Sequence, residues 1–339
     1  MKNPSAPNWS RRRLLRTAFC SSAGLALNVG AGVVRAADVA GTDDLHFFAI
    51  GDFGSMEPAQ EAVANGMKKY VAGLQLRPEA LLLLGDNFYK AMPGGVKAPR
   101  WKTGFEDMYP ASTFPGPCPA VLGNHDYHDN KGGELVQIAY SKQGGTRWTM
   151  PAKWHRIEFP KANPLVTFLC IDTNWRSISA TKDEKTGLPK ASMTEQEEKE
   201  QMAWLKGALA GPRAPWTIVV GHHPVYSNGG AHGDTKALVR DLAPLLQQHG
   251  VHMFLCGHDH DMQHLELEGQ KTSFVVSGGG GARIRPTKDL PRGPYAKDVY
   301  GFTHMQIGRE RIITRHIDPN GRQLHAFAKK TDYAFEVLS

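Results

Sequence analysis

Cysteine is scarce in this chain, four among 339 residues, and that excludes a scaffold stapled by disulfides. Acid is missing altogether from the first 37 residues, which carry Lys2, Arg11, Arg12, Arg13, Arg16 and Arg35. No apolar run reaches the roughly 20 residues that a membrane span requires. Internal repeats and Pro/Ser-rich linkers are lacking too, so nothing divides the body of the chain. Gly-Lys-Ser/Thr does not accompany the glycine run at 278–281, which removes a nucleotide P-loop and leaves a tight loop near the site. What is present is ordinary globular stock, 41% apolar and 22% charged, unlike a disordered or collagen-like sequence. The net charge of +7 comes from 40 basic against 33 acidic residues; without the six cations of residues 1–37 the balance is 34 against 33. The basic excess is local to one end, and a nucleic-acid-binding body loses its main support.

That basic end reads as an address. Residues 10–16, SRRRLLR, precede a weakly apolar stretch at 23–34 containing Gly24, Asn28, Gly30 and Gly32, and the small residues Ala36 and Ala37 follow. Basic, apolar and small-residue zones in that order form an export signal. The paired arginines resemble the twin-arginine class, a receptor-read address. Cleavage is expected after Ala36 or Ala37, which divides the chain into a signal at 1–37 and a single domain at 38–339. The resemblance implies the twin-arginine machinery as a partner and export in the folded state with metal loaded in the cytoplasm. It also implies a periplasmic or secreted location and no membrane attachment of the mature form.

From residue 44 onward apolar strands alternate with helices, the βαβ order of an α/β protein. The strands share one punctuation. Residues 46–50 run into Gly51-Asp52, 81–84 into Gly85-Asp86-Asn87-Phe88-Tyr89, and 120–122 into Gly123-Asn124-His125-Asp126. Residues 217–220 lead to Gly221-His222-His223-Pro224, and 253–256 to Gly257-His258-Asp259-His260. Ligands of open α/β sheets bind beyond the carboxyl ends of the strands, so five such ends are expected to line one crevice. They bring Asp52, Asp86, Tyr89, Asn124, His222, His258 and His260. Oxygen donors mixed with imidazoles suit iron, manganese or zinc, whereas a structural zinc site favours thiolates. Seven ligands exceed the needs of one ion and fit two that share a carboxylate, the arrangement that clamps an in-line displacement at phosphorus. A single Gly-Asp pair is weak evidence; five in order are strong. The other histidines, His46, His155, His249, His304, His316 and His325, read as structural.

The ordered motifs GDFG, GDNFY, GNHD, GHHPVYS and GHDH resemble the metallophosphoesterase superfamily. Within it they resemble the small, tartrate-resistant branch of the purple acid phosphatases, over residues 44–328. Two details carry that choice. Asp52 is followed by Phe53 and Gly54 where many superfamily members have an imidazole, and Tyr89 stands three residues after Asp86. The resemblance implies a four-layer αββα sandwich of two mixed sheets flanked by helices. It implies an Fe(III) site at Asp52, Asp86, Tyr89 and His260, and a divalent site for Fe, Zn or Mn at Asp86, Asn124, His222 and His258, with Asp86 as the bridge. The activity implied is that of an acid phosphatase hydrolysing small phosphomonoesters by attack of a metal-bound hydroxide. His125 and His232 would bind phosphate and serve the leaving group. Asp126 is expected to orient His125, and Asp259 to support the ligands. His232 follows His222 by ten residues, one more than in the mammalian-type pattern. A phosphodiesterase or nucleotide pyrophosphohydrolase with the same metal pair stands as an alternative, as does an iron redox protein.

Elsewhere, Thr194 and Glu197 form a capping-box pattern ahead of Met202, Leu205 and Leu209 at helical spacing. Residues 234–248 read as a helix that Pro244 kinks or splits. Strands at 263–268, 271–276, 302–307 and 311–317 are expected to form a second, largely antiparallel sheet. Cys170 and Cys256 read as buried thiols, while any pairing among Cys118, Cys170 and Cys256 is left open. Segments 90–102 and 179–192 read as surface loops.

Overall fold

A computed structural model of the chain describes residues 43–338 together with Val34 and Val39. Apart from Val34, which is buried, the expected signal at 1–37 lies outside the described residues. Alternation of side chains along the strands decides how the layers stack. In β1 (Leu45–Ile50), Phe47 and Ala49 join one core cluster while Phe48 and Ile50 join another. The same split recurs in β2 (Ala80–Leu83), where Leu82 parts from Leu81 and Leu83. A sheet that is apolar on both faces has to be covered on both.

Two further strands form a short ribbon, β3 (Cys118–Pro119) and β4 (Trp148–Thr149). The middle of the chain supplies β5 (His155–Phe159), β6 (Val166–Cys170), β7 (Trp216–Val220) and β8 (Met253–Cys256). It continues with β9 (Met262–Leu265), β10 (Ser273–Ser277) and β11 (Tyr295–Lys297). The last four are β12 (Phe302–Ile307), β13 (Arg311–Ile317), β14 (Gln323–Lys330) and β15 (Phe335–Leu338). One sheet has the order β15-β14-β13-β12-β1-β2 and the other β11-β9-β10-β8-β7-β6-β5. Both are mixed: β1 runs parallel to β2, and β8 parallel to β7 and β10, with antiparallel partners outside them.

Between the sheets lie Phe47, Leu82, Phe168, Ile218, Leu255, Met305 and Phe327. Trp216 crosses this layer and its Nε1 donates to the Gly308 carbonyl at 2.7 Å. The outer faces carry Phe48, Leu169, Val219 and Phe254 in one cluster with the helical Val63, Met67, Leu205, Leu209 and Leu238. The result is the expected αββα sandwich. Helix Glu195–Ala210 begins with the expected capping box, Thr194 Oγ1 accepting from Glu197 N and Glu197 accepting from Thr194 N. Pro244 splits its segment into helices Lys236–Asp241 and Ala243–Gln248. The three cysteines among the described residues are free and buried.

Two expectations need correction. The strands expected at 263–268 and 271–276 do not join the C-terminal sheet. β10 pairs in parallel with β8, and β9 folds back on β10, so both extend the seven-stranded sheet. Partners of the six-stranded sheet are instead β12 to β15 around β1. Segment 90–102 is not wholly a surface loop either. Trp101 is only 3% exposed and stacks on Tyr140 with ring centroids 3.6 Å apart, because an indole gains more by covering apolar surface than by facing water.

Candidate metal centre

The carboxyl ends of β1 and β2 from one sheet meet those of β7 and β8 from the other. Asp52 N donates to Gly85 O at 3.0 Å, Gly257 N to His222 O at 3.1 Å, and His258 N to the Asp52 carboxylate at 2.8 Å. The glycine run packs against the same edge, with Gly280 N on Gly51 O and Ala282 N on Asp52 O. The turns are so tight that a Cβ on Gly123 would lie 2.1 Å from Asp86 N, and Gly85 adopts a φ of +89°. Asp52, Asp86 and His258 also take positive φ, at 56°, 50° and 69°. Each such residue costs about 1–3 kcal/mol and persists where the surroundings impose it.

All seven expected ligands come together, and their polar atoms fall into two groups. His222 Nδ1 lies 2.9 Å from the Leu84 carbonyl, which can only accept, so this nitrogen carries the proton. The neutral ring's other nitrogen, Nε2, is then a bare lone pair. It faces Asn124 Oδ1 at 3.2 Å, His258 Nδ1 at 3.2 Å and Asp86 Oδ1 at 3.4 Å. His260 repeats the device, with Nδ1 donating to Arg283 O at 2.7 Å and Nε2 facing Asp52 Oδ1 at 3.4 Å. Tyr89 Oη closes that second group, 3.1 Å from Asp86 Oδ2 and 3.3 Å from both Asp52 Oδ1 and His260 Nε2. A phenol has one proton for these three acceptors. Asp86 therefore turns one oxygen to each group. Acceptors crowded against acceptors, in a buried place, are what a cation resolves, and the donor set fits two of them.

Burial opposes a charge on His260, yet Asp52 raises it above the ordinary histidine value, so without a cation the imidazolium itself answers Asp52. Burial, then Asp86 and Asp52, push the Tyr89 phenol well above its usual range. Burial and the neighbouring imidazoles hold His258 well below the usual histidine range, hence neutral. Burial works against the Asp52 charge too, yet His260 holds that carboxyl below the ordinary carboxylate range. Asp52, Asp86 and His222 offer ligand atoms within 4.8 Å of one another, and so do His222, His223 and His258.

His125 lies at the rim, its ring 4.4 Å from that of Tyr89. Asp126 does not orient it. That carboxylate accepts from Gly123 N, Asn87 N, Phe88 N and Gln137 Nε2, tying the two ligand loops together from below. The partner of His125 is Asp129, whose Oδ2 is 2.9 Å from His125 Nδ1 and also accepts from Lys90 N at 2.8 Å. Sequence reasoning missed it, although the i,i+4 spacing is a readable signal. Burial opposes a charge on His125, but Asp129, Asp86 and Asp126 raise it to about 9. His232 is exposed, with its ring 4.3 Å from that of His258 and its Nε2 against Arg285 Nη1. Although the residue is exposed as a whole, partial loss of water around its ring, then Arg285, lowers it to about 4. Arg285 was also missed, since nothing local marks a residue 53 positions away. His223, read only as the neighbour of His222, takes part through a 2.8 Å contact with Thr173 Oγ1. The Asp259 carboxylate accepts from Ser227 Oγ, and its other oxygen has no partner among the described residues, so its hydrogen bonds do not reach the expected ligands.

Residues 44–262 match the calcineurin-like phosphoesterase family. Tartrate-resistant acid phosphatase type 5 of Mus musculus is 32% identical over 300 residues, covering 84% of this chain and 89% of the mouse protein. Among solved structures, GAP50, the anchor in the inner membrane complex of Plasmodium, superposes with a TM-score of 0.69 at 23% identity, covering 84% of this chain and 87% of that one. A purple acid phosphatase, PPD1 from yellow lupin seeds, superposes with a TM-score of 0.61 at 18% identity, covering 85% of this chain and 54% of its own. Among the described residues no helix is long and apolar enough to cross a membrane.

Proposed function

The chain belongs to the calcineurin-like phosphoesterase family, as a relative of the purple acid phosphatases, and we propose that it is an exported acid phosphatase acting on phosphomonoesters. As a member of that family it is a dinuclear-metal phosphoester hydrolase. Asp52, Asp86, Tyr89 and His260 would hold Fe(III); Asp86, Asn124, His222 and His258 would hold a divalent ion, Fe, Zn or Mn. The observation that carries the assignment is the division of lone pairs between the two oxygens of Asp86. A phenolate and carboxylates suit the harder ion, while an amide and two imidazoles suit the softer one. When bound, such a pair polarises phosphoryl oxygens and acidifies water.

The chain's own residues do the rest. His125, held by Asp129, offers a cationic N–H donor to a phosphate at the rim. Exposed and pinned by Arg285, His232 stands where a leaving group departs. Leu84 O and Arg283 O accept from Nδ1 of His222 and His260, which leaves Nε2 of each ring as the nitrogen turned toward the centre. Residues 10–16 support export by the twin-arginine route to the periplasm or medium. The test is metal analysis of protein purified from its export compartment, with a visible spectrum and a pH–rate profile on an aryl phosphate. Two ions per chain including iron, a visible charge-transfer band and turnover best below neutral pH are expected. A colourless dizinc protein would overturn the Fe(III)–Tyr89 assignment, and a bis-aryl phosphate cleaved tenfold faster than the monoester would replace phosphomonoesters with diesters.

A further inference from the structure

Two loops border the centre on the His232 side. Residues 227–234 follow the ligand-bearing end of β7, and residues 283–292 follow the glycine run after β10. They are stitched together by Gly230 N on Pro286 O at 2.8 Å, Lys288 N on Asn228 O at 2.7 Å and a bridge between Gly229 and Thr287. Arg292 adds a clamp, donating to Asn228 Oδ1 at 3.0 Å, to Ser227 O and to Asp234 Oδ2 at 2.8 Å. Below the loops, Ser227 Oγ rests on buried Asp259 and on Gln263 Nε2. The frame is therefore built, not a floppy rim.

Between these loops and helix Lys236–Asp241 lies a cavity of about 600 Å³, lined among others by His232, Lys236, Val239, Lys288 and Leu290. That volume falls within the ordinary range of small-ligand sites. Its wall nearest the metal centre is His232, whose ring lies against His258. Its cations are unbalanced. Asp234 is taken by Arg292 and Arg240 by Asp241, whereas Lys236 and Lys288 have no ion-pair partner among the described residues. Arg285 stands at the junction, its backbone N–H on His260 O and its side chain on His232. An ester whose phosphoryl group reaches the metal centre beside His232 can extend over the two loops into this cavity.

We infer that this cavity is a subsite for the leaving group, and that it selects leaving groups carrying a second phosphate or comparable dianion on a short carbon frame. This rests on the phosphatase reading and adds the substrate class. Val239 and Leu290 cover the carbon frame, while Lys236 and Lys288 meet the distal anion. Hydrolysis is unchanged in kind: water adds at phosphorus, the ester P–O bond breaks, and the leaving alcohol keeps its distal phosphate. The experiment compares binding of propylene bisphosphonate and propylphosphonate to the metal-loaded full chain by calorimetry, with turnover of an aryl phosphate measured on the same sample. The bisphosphonate should bind about tenfold more tightly than the monophosphonate, the equivalent of ~1.4 kcal/mol, and less so at high salt. The double substitution Lys236→Ala and Lys288→Ala should erase that advantage. Equal affinities, or an advantage that survives the double substitution, overturn the subsite. Aryl phosphate turnover without the preference removes the subsite alone; the preference without any turnover upholds the subsite and removes the phosphatase reading.

Discussion

Replacing Asp129 by Asn tests the rim histidine with two readouts whose pH dependences run in opposite directions. The pair has His125 Nδ1 and Asp129 Oδ2 2.9 Å apart, with side chains 32% and 25% exposed. His125 rises from the ordinary 6.5 to about 9, and that gap amounts to ~3 kcal/mol in favour of the imidazolium at ~1.4 kcal/mol per pH unit. Three carboxylates share the attraction against an opposing burial cost, and water screens a partly exposed pair, so Asp129 accounts for ~1 kcal/mol. For stability the sign follows from a raised folded-state value. The contribution is fully present below pH 6.5 and disappears as pH climbs through about 9. In urea unfolding the variant should thus be ~1 kcal/mol weaker at pH 5.5 and equal to the parent near pH 9.5. Phosphate affinity behaves the other way. Near pH 5.5 both proteins carry the imidazolium, whereas a loss of ~1 kcal/mol moves the variant's titration down by ~0.7 pH unit, so the two differ most near pH 9. KM for an aryl phosphate should rise about threefold in the variant at pH 9, and hardly at pH 5.5. A KM ratio that is the same at both values would refute the charge argument and leave Asp129 with its other contact, Lys90 N, as its whole role.

Three further changes probe other parts of the centre. Tyr89→Phe removes the hydroxyl shared by Asp52, Asp86 and His260, and the iron-loaded protein should lose its visible band; a band that persists reassigns the chromophore. Asp126→Ala leaves the N–H groups of Gly123, Asn87 and Phe88 without an acceptor, and urea unfolding should register at least ~3 kcal/mol of destabilisation. A loss below ~1 kcal/mol would mean that water replaces the carboxylate in full. Thr194→Ala removes the cap of helix Glu195–Ala210 and should cost ~1 kcal/mol in thermal unfolding, with KM and kcat untouched because that helix start supplies nothing to the centre.

What the sequence disclosed and what it hid divide along a physical line. Asp52, Asp86, Tyr89, Asn124, His222, His258 and His260 were readable because each sits just past the end of an apolar run, and strand ends gather ligands. The αββα layering was implied by the family resemblance, and strands apolar on both faces agree with it. Pairing across the fold was not readable. β9 and β10 have the short, apolar look of a C-terminal meander, yet β10 lies beside β8 because its parallel register there buries Phe274 and Val276 among the outer-face side chains. Strands β14 and β15 were not anticipated, since β14 carries Lys329, a residue buried in the fold with Glu266 3.9 Å away. Asp126 was expected to orient His125 and Asp129 was passed over for the same reason. Both stand within four residues of His125, and only the turn at Gly123 decides which one faces the ring.

The positive φ values and the clustered lone pairs also bear on when the ions arrive. Asp52, Asp86 and His258 each hold a backbone conformation that costs about 1–3 kcal/mol. The hydrogen bonds that impose it, His258 N on Asp52 and His125 N on Asp86, use the very carboxylates that would bind metal. The ligand shell is therefore formed by the fold before any ion enters, at a cost in stability that a ligand binding only the native state offsets by mass action. Burial then limits exchange: Asp52 and His222 are wholly buried, so an ion can enter and leave only by way of Tyr89, His258 and the half-buried rim. A chain that crosses a membrane already folded carries across whatever metal it folded with. The export route proposed from residues 10–16 would carry across a ligand shell already formed, and the half-buried rim leaves it open to metal on either side of the membrane.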